Sequence, residues 1–283
     1  MKLLFFVVLA GFLFYIVKKA YNNTKKIVMN KVTINQESMS EDSPKLNILQ
    51  LSDLHLENIS ISPDELYKKL KDEPIDLIAL TGDFLDRKRT IPKLVPYLKR
   101  LNELNTKYGI YAVLGNHDYV LRGQDLQTLV ATLKQYNCMV LQNENDVIMI
   151  DGHPLNIIGI DDFSTDRSSL EASYKGIQAG TNLVLTHDPT IVLHMKRYHF
   201  DYLLSGHFHG GQICYPKAYH LRKMGELARK NIIKGFHKLD GKPFYISEGL
   251  GQTGVNIRIG SRPEITLHQL SLAVAHKNVL IAT

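Results

Sequence analysis

Five short apolar segments of this 283-residue chain run directly into Asp, Asn or His residues, and no other feature limits the possible folds as strongly. The segments cover residues 46–51, 77–80, 110–114, 183–186 and 202–204, and each has the length of a buried β-strand. In open α/β sheets, ligands bind beyond the carboxyl ends of the strands. The sequence therefore predicts that one sheet edge gathers Asp53, His55, Asp83, Asn116, His117, His187, His207 and His209.

Helical patterns separate the strands in the first half of the chain, at residues 63–71, 92–107 and 124–135. This alternation predicts parallel β-α-β units. The second half has shorter predicted strands at residues 147–150, 155–159, 244–246 and 265–270, and helices at 169–176 and 190–198. Because several of these strands have no long helix between them, some antiparallel pairing is expected. We predict an α/β fold of two mixed sheets flanked by helices, a four-layer α/β/β/α sandwich preceded by an N-terminal apolar helix.

The N-terminus carries an uncharged apolar run, residues 3–17, between Lys2 and Lys18. As a helix this run rises roughly 22 Å, less than the ~30 Å hydrocarbon core of a bilayer, but residues 20 and 21 can extend it. The run also matches the core of a signal peptide, although the Lys-Lys-Ala-Tyr-Asn that follows is a poor cleavage site. We expect an uncleaved membrane anchor, with a cleaved signal as the alternative. The side of the membrane stays open, because the flanking charge and the signal-like layout disagree.

The expected organisation has three parts: an anchor at residues 1–21, a polar connector at 22–44 and one domain at 45–283. The connector has room for a short edge strand at residues 27–34. The formal net charge of +6 is modest and partly adjoins the apolar run, which favours a membrane surface over nucleic acid as a partner. The two cysteines, Cys138 and Cys214, form no disulfide framework.

The case for a metal site rests on the combination of motifs. Asp53 and His55 are two residues apart, so in extended backbone they point to the same side and can bind one ion together. Taken singly, an Asp after a strand is commonly a turn former or a helix cap, and a lone His is commonly a hydrogen-bonded side chain. The ordered series Asp-x-His, Gly-Asp, Gly-Asn-His-Asp and Gly-His-x-His, each after an apolar strand, favours ligation over these explanations.

These motifs resemble those of the calcineurin-like metallophosphoesterase superfamily, and in particular its branch with an N-terminal transmembrane segment. The resemblance covers residues 45–270. It rests on residues 53–55, 82–83, 115–118, 187 and 206–212, and for the branch also on the tail at 249–251, 258 and 263–264. The branch often has Thr or Ala where Phe208 stands, so we expect Phe208 to leave ligation untouched but to narrow the site.

The resemblance implies a centre of two divalent ions. One ion would be bound by Asp53, His55, Asp83 and His209. The other would be bound by Asp83, Asn116, His187 and His207, with the carboxylate of Asp83 bridging the pair. His117 would not bind metal but would stand beside the phosphate, where an imidazolium can donate a proton to the leaving oxygen. The mixed carboxylate, amide and imidazole ligands favour Mn, with Fe or Zn as alternatives, over Ca or Mg.

The activity implied is that of a phosphodiesterase or pyrophosphatase acting on a membrane-associated or nucleotide-type substrate, such as the pyrophosphate of UDP-2,3-diacylglucosamine. The alternatives are a phosphomonoesterase, including a protein phosphatase, and a metal-stabilised scaffold without catalysis. The scaffold is disfavoured because all seven ligand positions and His117 are present. An α/β-hydrolase and a dinucleotide-binding domain are excluded, since no G-x-S-x-G occurs and no G-x-G-x-x-G follows the first strand.

Some further residues have two interpretations each. Asp86 either hydrogen-bonds a ligand His or begins a helix, and Arg258 either meets a substrate phosphate or pairs with Glu264. Asp161 and Asp162 border the site or form a turn. The basic segment at residues 215–238 either steers an anionic substrate or is a solvated helix face.

Overall fold

The computed structural model describes residues 1–34 and 43–272 of the chain. Its α-helices are α1 (Lys2–Asn23), α2 (Pro63–Leu70), α3 (Ile91–Asn102), α4 (Gln124–Gln135), α5 (Leu170–Ser173) and α6 (Glu226–Arg229). Its first six strands are β1 (Val28–Ile34), β2 (Lys45–Leu51), β3 (Leu77–Thr81), β4 (Ile110–Val113), β5 (Cys138–Val140) and β6 (Glu144–Ile150). The others are β7 (His153–Gly159), β8 (Thr181–Leu185), β9 (Tyr202–Ser205), β10 (Gly235–Leu239), β11 (Lys242–Ile246) and β12 (Glu264–Ser271).

The strands form two six-stranded sheets, in the orders β1-β12-β2-β3-β4-β5 and β10-β11-β9-β8-β7-β6. In the first sheet β2 to β5 run parallel, while β12 runs antiparallel to β2 and carries β1 at its other side. In the second sheet β7, β8, β9 and β11 run parallel, and β6 and β10 pair antiparallel at the two edges. Both sheets are mixed and flanked by helices, which confirms the predicted fold class.

Alternating side chains explain why the central strands are apolar on both faces. On β7, Ile157 belongs to the apolar layer between the two sheets, and its neighbour Ile158 belongs to the layer on the outer side of the second sheet. On the outer side of the first sheet, Leu98 of α3 and Leu129 of α4 lie in a third apolar layer. Burial of each such side chain contributes about 1.5–3 kcal/mol. The packed sheets hold the strand ends, and therefore the loops that follow them, in fixed positions.

The structure confirms the predicted strands but corrects some helices. Helix α3 ends at Asn102 rather than at residue 107, because the Asn102 side chain donates to the carbonyls of Leu98 and Tyr136, and Asn105 takes a left-handed conformation with φ 49°. The helix predicted at residues 169–176 is the single turn α5, and the one at 190–198 is a 3₁₀ segment, Pro189–His194. Strands β5 and β10 were not predicted.

Helix α1 has 22 residues and rises roughly 33 Å, and the part before its buried last turn, residues 2–19, rises roughly 27 Å, close to the thickness of the hydrocarbon core of a bilayer. It is long and apolar enough to cross a membrane by length and composition, a test that a signal sequence also passes. The predicted edge strand is present: β1 pairs in parallel with β12 at the edge of the first sheet. The division into 1–21, 22–44 and 45–283 stays a prediction, and residues 35–42 and 273–283 lie outside the described part of the chain.

A buried chain of hydrogen bonds joins the two sheets beneath the strand ends. Tyr202 of β9 lies 2.8 Å from Nδ1 of His268 on β12, whose Nε2 lies 3.0 Å from Oε1 of Gln50 on β2. The amide of Gln50 donates to Thr81 of β3 and to the carbonyl of Ser205. Because the Gln50 oxygen can only accept, Nε2 carries the imidazole proton and Nδ1 accepts from the Tyr202 hydroxyl. This pattern fits a neutral His268, the form that burial also favours.

We predict that the free energy of unfolding of the variant His268→Gln falls less steeply on acidification than that of the wild type. Burial lowers the pKa of His268 from 6.5 to about 3. The imidazole therefore binds a proton below pH 6.5 in the unfolded chain but only below about pH 3 in the folded protein. The wild-type free energy of unfolding consequently falls as the pH drops from 6.5 to about 3. The fall attributable to His268 has a slope of at most about 1.4 kcal/mol per pH unit. Gln keeps one acceptor and one donor but does not titrate.

Chemical denaturation of both proteins from about pH 7 to about pH 3.5, which covers the window between the two pKa values, measures this difference. The stability of the variant relative to wild type should improve steadily on acidification. Parallel curves would contradict a neutral buried imidazole at this position.

Candidate metal centre

The loops after five strands, β2, β3, β4, β8 and β9, carry all the predicted site residues and meet at one end of the two sheets. One group is formed by Asp53, His55, Asp83 and His209, whose candidate ligand atoms all lie within 4.8 Å of one another. All four side chains are buried. Nε2 of His55 lies 3.2 Å from Nε2 of His209 and 3.5 Å from a carboxylate oxygen of Asp83. Lone pairs and negative charge thus converge on one point.

A second group lies next to the first and shares Asp83 with it. Nε2 of His187 lies 3.0 Å from Oδ2 of Asp83, and the His187 and His207 rings are 5.1 Å apart between centroids. Nδ1 of His207 lies 3.0 Å from Oδ1 of Asn116. The carboxylate of Asp83 is therefore in contact with members of both groups, as a bridging ligand would be.

The main chain at these residues is in an uncommon conformation. Five of the predicted ligands have left-handed backbone, with φ between 35° and 78°: Asp53, His55, Asp83, His207 and His209. A residue other than Gly in this region costs roughly 1–3 kcal/mol and persists only where its surroundings impose it. The close approach of the loops also requires glycine: a methyl group at Gly115 would overlap the Asp83 carboxylate, and one at Gly206 would overlap Ser52 and Asp53.

Asp118 imposes the conformation of two of these loops. Its fully buried carboxylate accepts hydrogen bonds from the main-chain N–H groups of Asp83, Phe84, Leu85 and Gly115, at 2.8–3.3 Å. Burial and the charge of Asp83 raise the pKa of Asp118, and the N–H groups oppose that rise. Sequence reasoning gave Asp118 no importance. Its position directly after His117 was the available signal, but nothing in the sequence revealed the four donors.

Arg258 has the complementary role, and both predictions for it were wrong. The guanidinium is fully buried, so it cannot meet a substrate phosphate, and it donates to main-chain carbonyls rather than pairing with Glu264. The five acceptors are the carbonyls of His209, Glu248, Gly249, Gly251 and Arg262. Burial lowers the pKa of Arg258 to about 10, which leaves the group charged at neutral pH.

His117 lies at the edge of the centre. Its Nδ1 is 3.0 Å from Oδ1 of Asp86, and the same oxygen is 3.1 Å from Nδ1 of His55. Of the two interpretations of Asp86, the structure therefore has the hydrogen bond to His55. Burial works to lower the pKa of His117, but the hydrogen bond to Asp86 and the charge of Asp83 raise it above its ordinary value. His117 is thus suited to carry a proton near neutral pH.

A cavity of about 320 Å³ opens over the centre. Asp83, Asn116, His117, His207 and His209 form its floor, and its walls are Phe208, Gly211, Gln212, Ile213, His220, Leu221, Met224, Thr253 and Val255. Phe208 is buried and also packs in the outer apolar layer of the second sheet. Neither Asp161 nor Asp162 lines this cavity: Asp161 accepts from the Tyr119 hydroxyl, and Asp162 accepts from Ser164 and Thr165.

The side chains present fit divalent ions. Nδ1 of His187 donates to the carbonyl of Thr81 at 2.7 Å, which leaves the lone pair of Nε2 directed at the carboxylates. That Nε2 is buried and has no hydrogen-bond partner among the described residues. Imidazole nitrogen turned toward carboxylate oxygen in a dry site is the donor set of Mn, Fe and Zn centres. The structure thus provides a metal-binding site.

Comparison with known proteins agrees with this geometry. The family model described as calcineurin-like phosphoesterase matches residues 46–211, more than half of the chain. The metallophosphoesterase YkoQ of Bacillus subtilis (strain 168) is 61% identical over 252 residues, which is 89% of this chain and 93% of YkoQ. The UDP-2,3-diacylglucosamine pyrophosphatase LpxG of Chlamydia trachomatis serovar D is 26% identical over 278 residues, which is 78% of this chain and 82% of LpxG.

We predict that Asp118→Asn destabilises the protein, because the amide NH₂ would face main-chain donors and leave them unpaired. Losing these charge-assisted hydrogen bonds should lower the free energy of unfolding by about 3 kcal/mol. Asp125→Asn, which breaks a surface ion pair with Lys88, should cost at most about 1 kcal/mol. Denaturant titration of both variants measures the two changes, and equal losses would refute the role given to Asp118.

Proposed function

This chain belongs to the calcineurin-like phosphoesterase family and is a metallophosphoesterase, a hydrolase with a metal-binding site, and we propose that it is a phosphodiesterase or pyrophosphatase using two divalent ions. The observation that carries the proposal is the convergence of Asp53, His55, Asp83 and His209 within 4.8 Å, with His117 beside them in a second group that it forms with His55 and Asp86. A structural metal site would have no need of an additional, partly exposed imidazole held by Asp86 beside the ligands.

The proposed ligand sets are those that the family resemblance implies. The first ion takes Asp53, His55, Asp83 and His209. The second takes Asp83, Asn116, His187 and His207. Mn is the proposed metal, and these ions would supply Lewis acidity and an activated water.

The protein residues direct the rest of the reaction. Asp86 accepts from His117 and from His55, so one carboxylate orients both the proposed proton donor and a proposed ligand. With Nδ1 held by Asp86, Nε2 of His117 can face a phosphate in the cavity and deliver a proton to the leaving oxygen as the ester bond breaks. The hydrogen bond from Nδ1 to Asp86 favours the protonated form of His117.

The shape of the cavity supports an ester with two substituents. Besides its polar residues, the cavity is lined by the apolar side chains of Ile213, Leu221, Met224 and Val255, which suit the organic substituents of an ester better than a bare phosphate. The relative LpxG is a UDP-2,3-diacylglucosamine pyrophosphatase, so a pyrophosphate joining a nucleotide to a lipid is the substrate type we propose to examine first. With α1 as an uncleaved membrane anchor, such a substrate would lie within reach.

Metal depletion tests the proposed function. Full-length protein in detergent, stripped by a chelator, should lose hydrolysis of bis(4-nitrophenyl) phosphate and regain it with Mn²⁺, while 4-nitrophenyl phosphate should be hydrolysed at least tenfold more slowly. Hydrolysis of the monoester alone would favour a phosphomonoesterase. Diester hydrolysis that survives complete metal removal would refute the proposal.

A second prediction concerns His117. The variant His117→Ala should keep two ions per chain but lose about 10²–10⁴-fold in kcat, the usual contribution of general acid catalysis. His153→Ala is the matched control, because His153 begins β7 at the end of the strand remote from the centre. Metal analysis and steady-state kinetics measure both properties. Unchanged kcat in His117→Ala would exclude the proton-donor role.

A further inference from the structure

Helix α1 is not separated from the domain by a spacer. Its last turn is built into the protein: Ala20, Asn23 and Thr24 are buried, whereas the apolar side chains from Leu3 to Val17 project away from the domain and are mostly exposed. The carbonyl of Ala20 accepts from the main-chain N–H of Arg258 at 3.0 Å, and the Asn23 side chain donates to the carbonyl of Arg258 at 2.8 Å. A membrane crossed by α1 would therefore lie next to the segment whose main chain, at Arg258, holds the last turn of the helix.

The segment that holds α1 also holds one wall of the cavity. Next to Arg258, Ile259 donates to the carbonyl of Gln212, and Cys214 donates to the carbonyl of Ile259. The side chain of Gln212 donates to the carbonyls of Thr253 and Val255. Paired extended segments are about 4.8 Å apart. The wall therefore begins about one such spacing from the residue against which the last turn of α1 is fixed.

The outer edge of this wall continues into an exposed surface of unusual composition, which we call the rim. It consists of Ile213, Tyr215, Lys217, Tyr219, Arg222, Lys223 and Val255. Tyr215 is 83% exposed, Val255 62% and Tyr219 53%. The three cations form no ion pair with the described residues, and no Asp or Glu occurs between residues 212 and 225. The 3₁₀ segment Tyr219–Met224 contributes to both the rim and the cavity, since Tyr219, Arg222 and Lys223 belong to the rim and His220, Leu221 and Met224 line the cavity.

We propose that the rim is a docking surface for the anionic lipid bilayer that α1 crosses, so that the cavity opens onto the headgroup layer. Tyrosine is enriched at the membrane interface, and each Lys or Arg near an anionic leaflet gains about 1 kcal/mol. Lys18, Lys19, Lys25 and Lys26 flank the end of α1 and place the headgroup layer at the same level as Arg258. A protein partner would not account for the adjoining membrane helix.

Docking has a consequence for the substrate that rests on the proposed function. A phosphoester carried by a lipid would reach the centre by lateral diffusion, with its acyl chains left in the bilayer. The cations of the basic segment at residues 215–238 then have different roles. Lys217, Arg222 and Lys223 face lipid, whereas Lys230 forms an ion pair with Glu226 and Lys234 forms one with Glu248. A continuous solvated helix, the other interpretation of that segment, is not formed.

A single tryptophan tests the docking, since the chain contains none. Tyr215→Trp in full-length protein, reconstituted into phosphatidylglycerol-rich vesicles with brominated acyl chains, should lose at least half of its fluorescence relative to unbrominated vesicles. The matched control is Met149→Trp, a 56% exposed position on β6 near the strand end remote from the centre, and it should lose less than a tenth. Adding K217E, R222E and K223E to Tyr215→Trp should reduce the quenching at least twofold.

Equal quenching in the two variants, or none in Tyr215→Trp, would overturn the proposal. If the indole of Tyr215→Trp were instead shielded from soluble iodide as protein density increased, without bromine quenching, the rim would be a contact between protein copies and the proposal would fail. The fluorescence measurement needs no turnover. If the diester assay failed while bromine quenching was observed, the proposed activity would be refuted and the docking surface would still be supported.

Discussion

Two buried ionic side chains hold the main chain around the centre, and the rest of the site depends on them. Asp118 collects four N–H groups from the loops after β3 and β4, and Arg258 collects five carbonyls from the loops that surround Asp53 and His209. Ligands on left-handed backbone would relax without such partners. The negative charge of Asp118 binds main-chain N–H donors, and the positive charge of Arg258 binds main-chain carbonyl acceptors.

Asp86 and Asp83 each serve two neighbours in the same way. Asp86 accepts from His55 and His117, and Asp83 contacts both proposed ligand groups while one of its oxygens accepts from the His117 main chain. Each carboxylate therefore fixes two neighbours at once. A change in either residue would disturb metal geometry and proton delivery together, so kinetic effects at these positions should not be assigned to one role alone.

Sequence reasoning succeeded where chemistry is local and failed where it is long-range. The strand ends and their Asp, Asn and His residues follow from short patterns, and the structure brings all eight into one place. The end of α3 was misplaced because Asn102 bonds to Tyr136, 34 residues away. The role of Arg258 was predicted wrongly for a related reason. Its acceptors are main-chain carbonyls from several loops, and every residue type carries such a carbonyl, so the sequence does not show which residues Arg258 contacts. The helices predicted at residues 169–176 and 190–198 were too long, although each segment begins with a side-chain cap, Ser169 in one case and Asp188 in the other.

The contacts of Arg258 also determine when the centre can exist during synthesis. All seven proposed ligands have been translated by residue 209, and α1 has left the ribosome long before that. Arg258 is added 49 residues after His209. Its guanidinium holds the loops of Asp53 and His209 together, and its main-chain N–H donates to the end of α1. A nascent chain therefore carries every ligand without the means to arrange them. Assembly of the metal centre and seating of the first helix are therefore both delayed until Arg258 has been added to the chain.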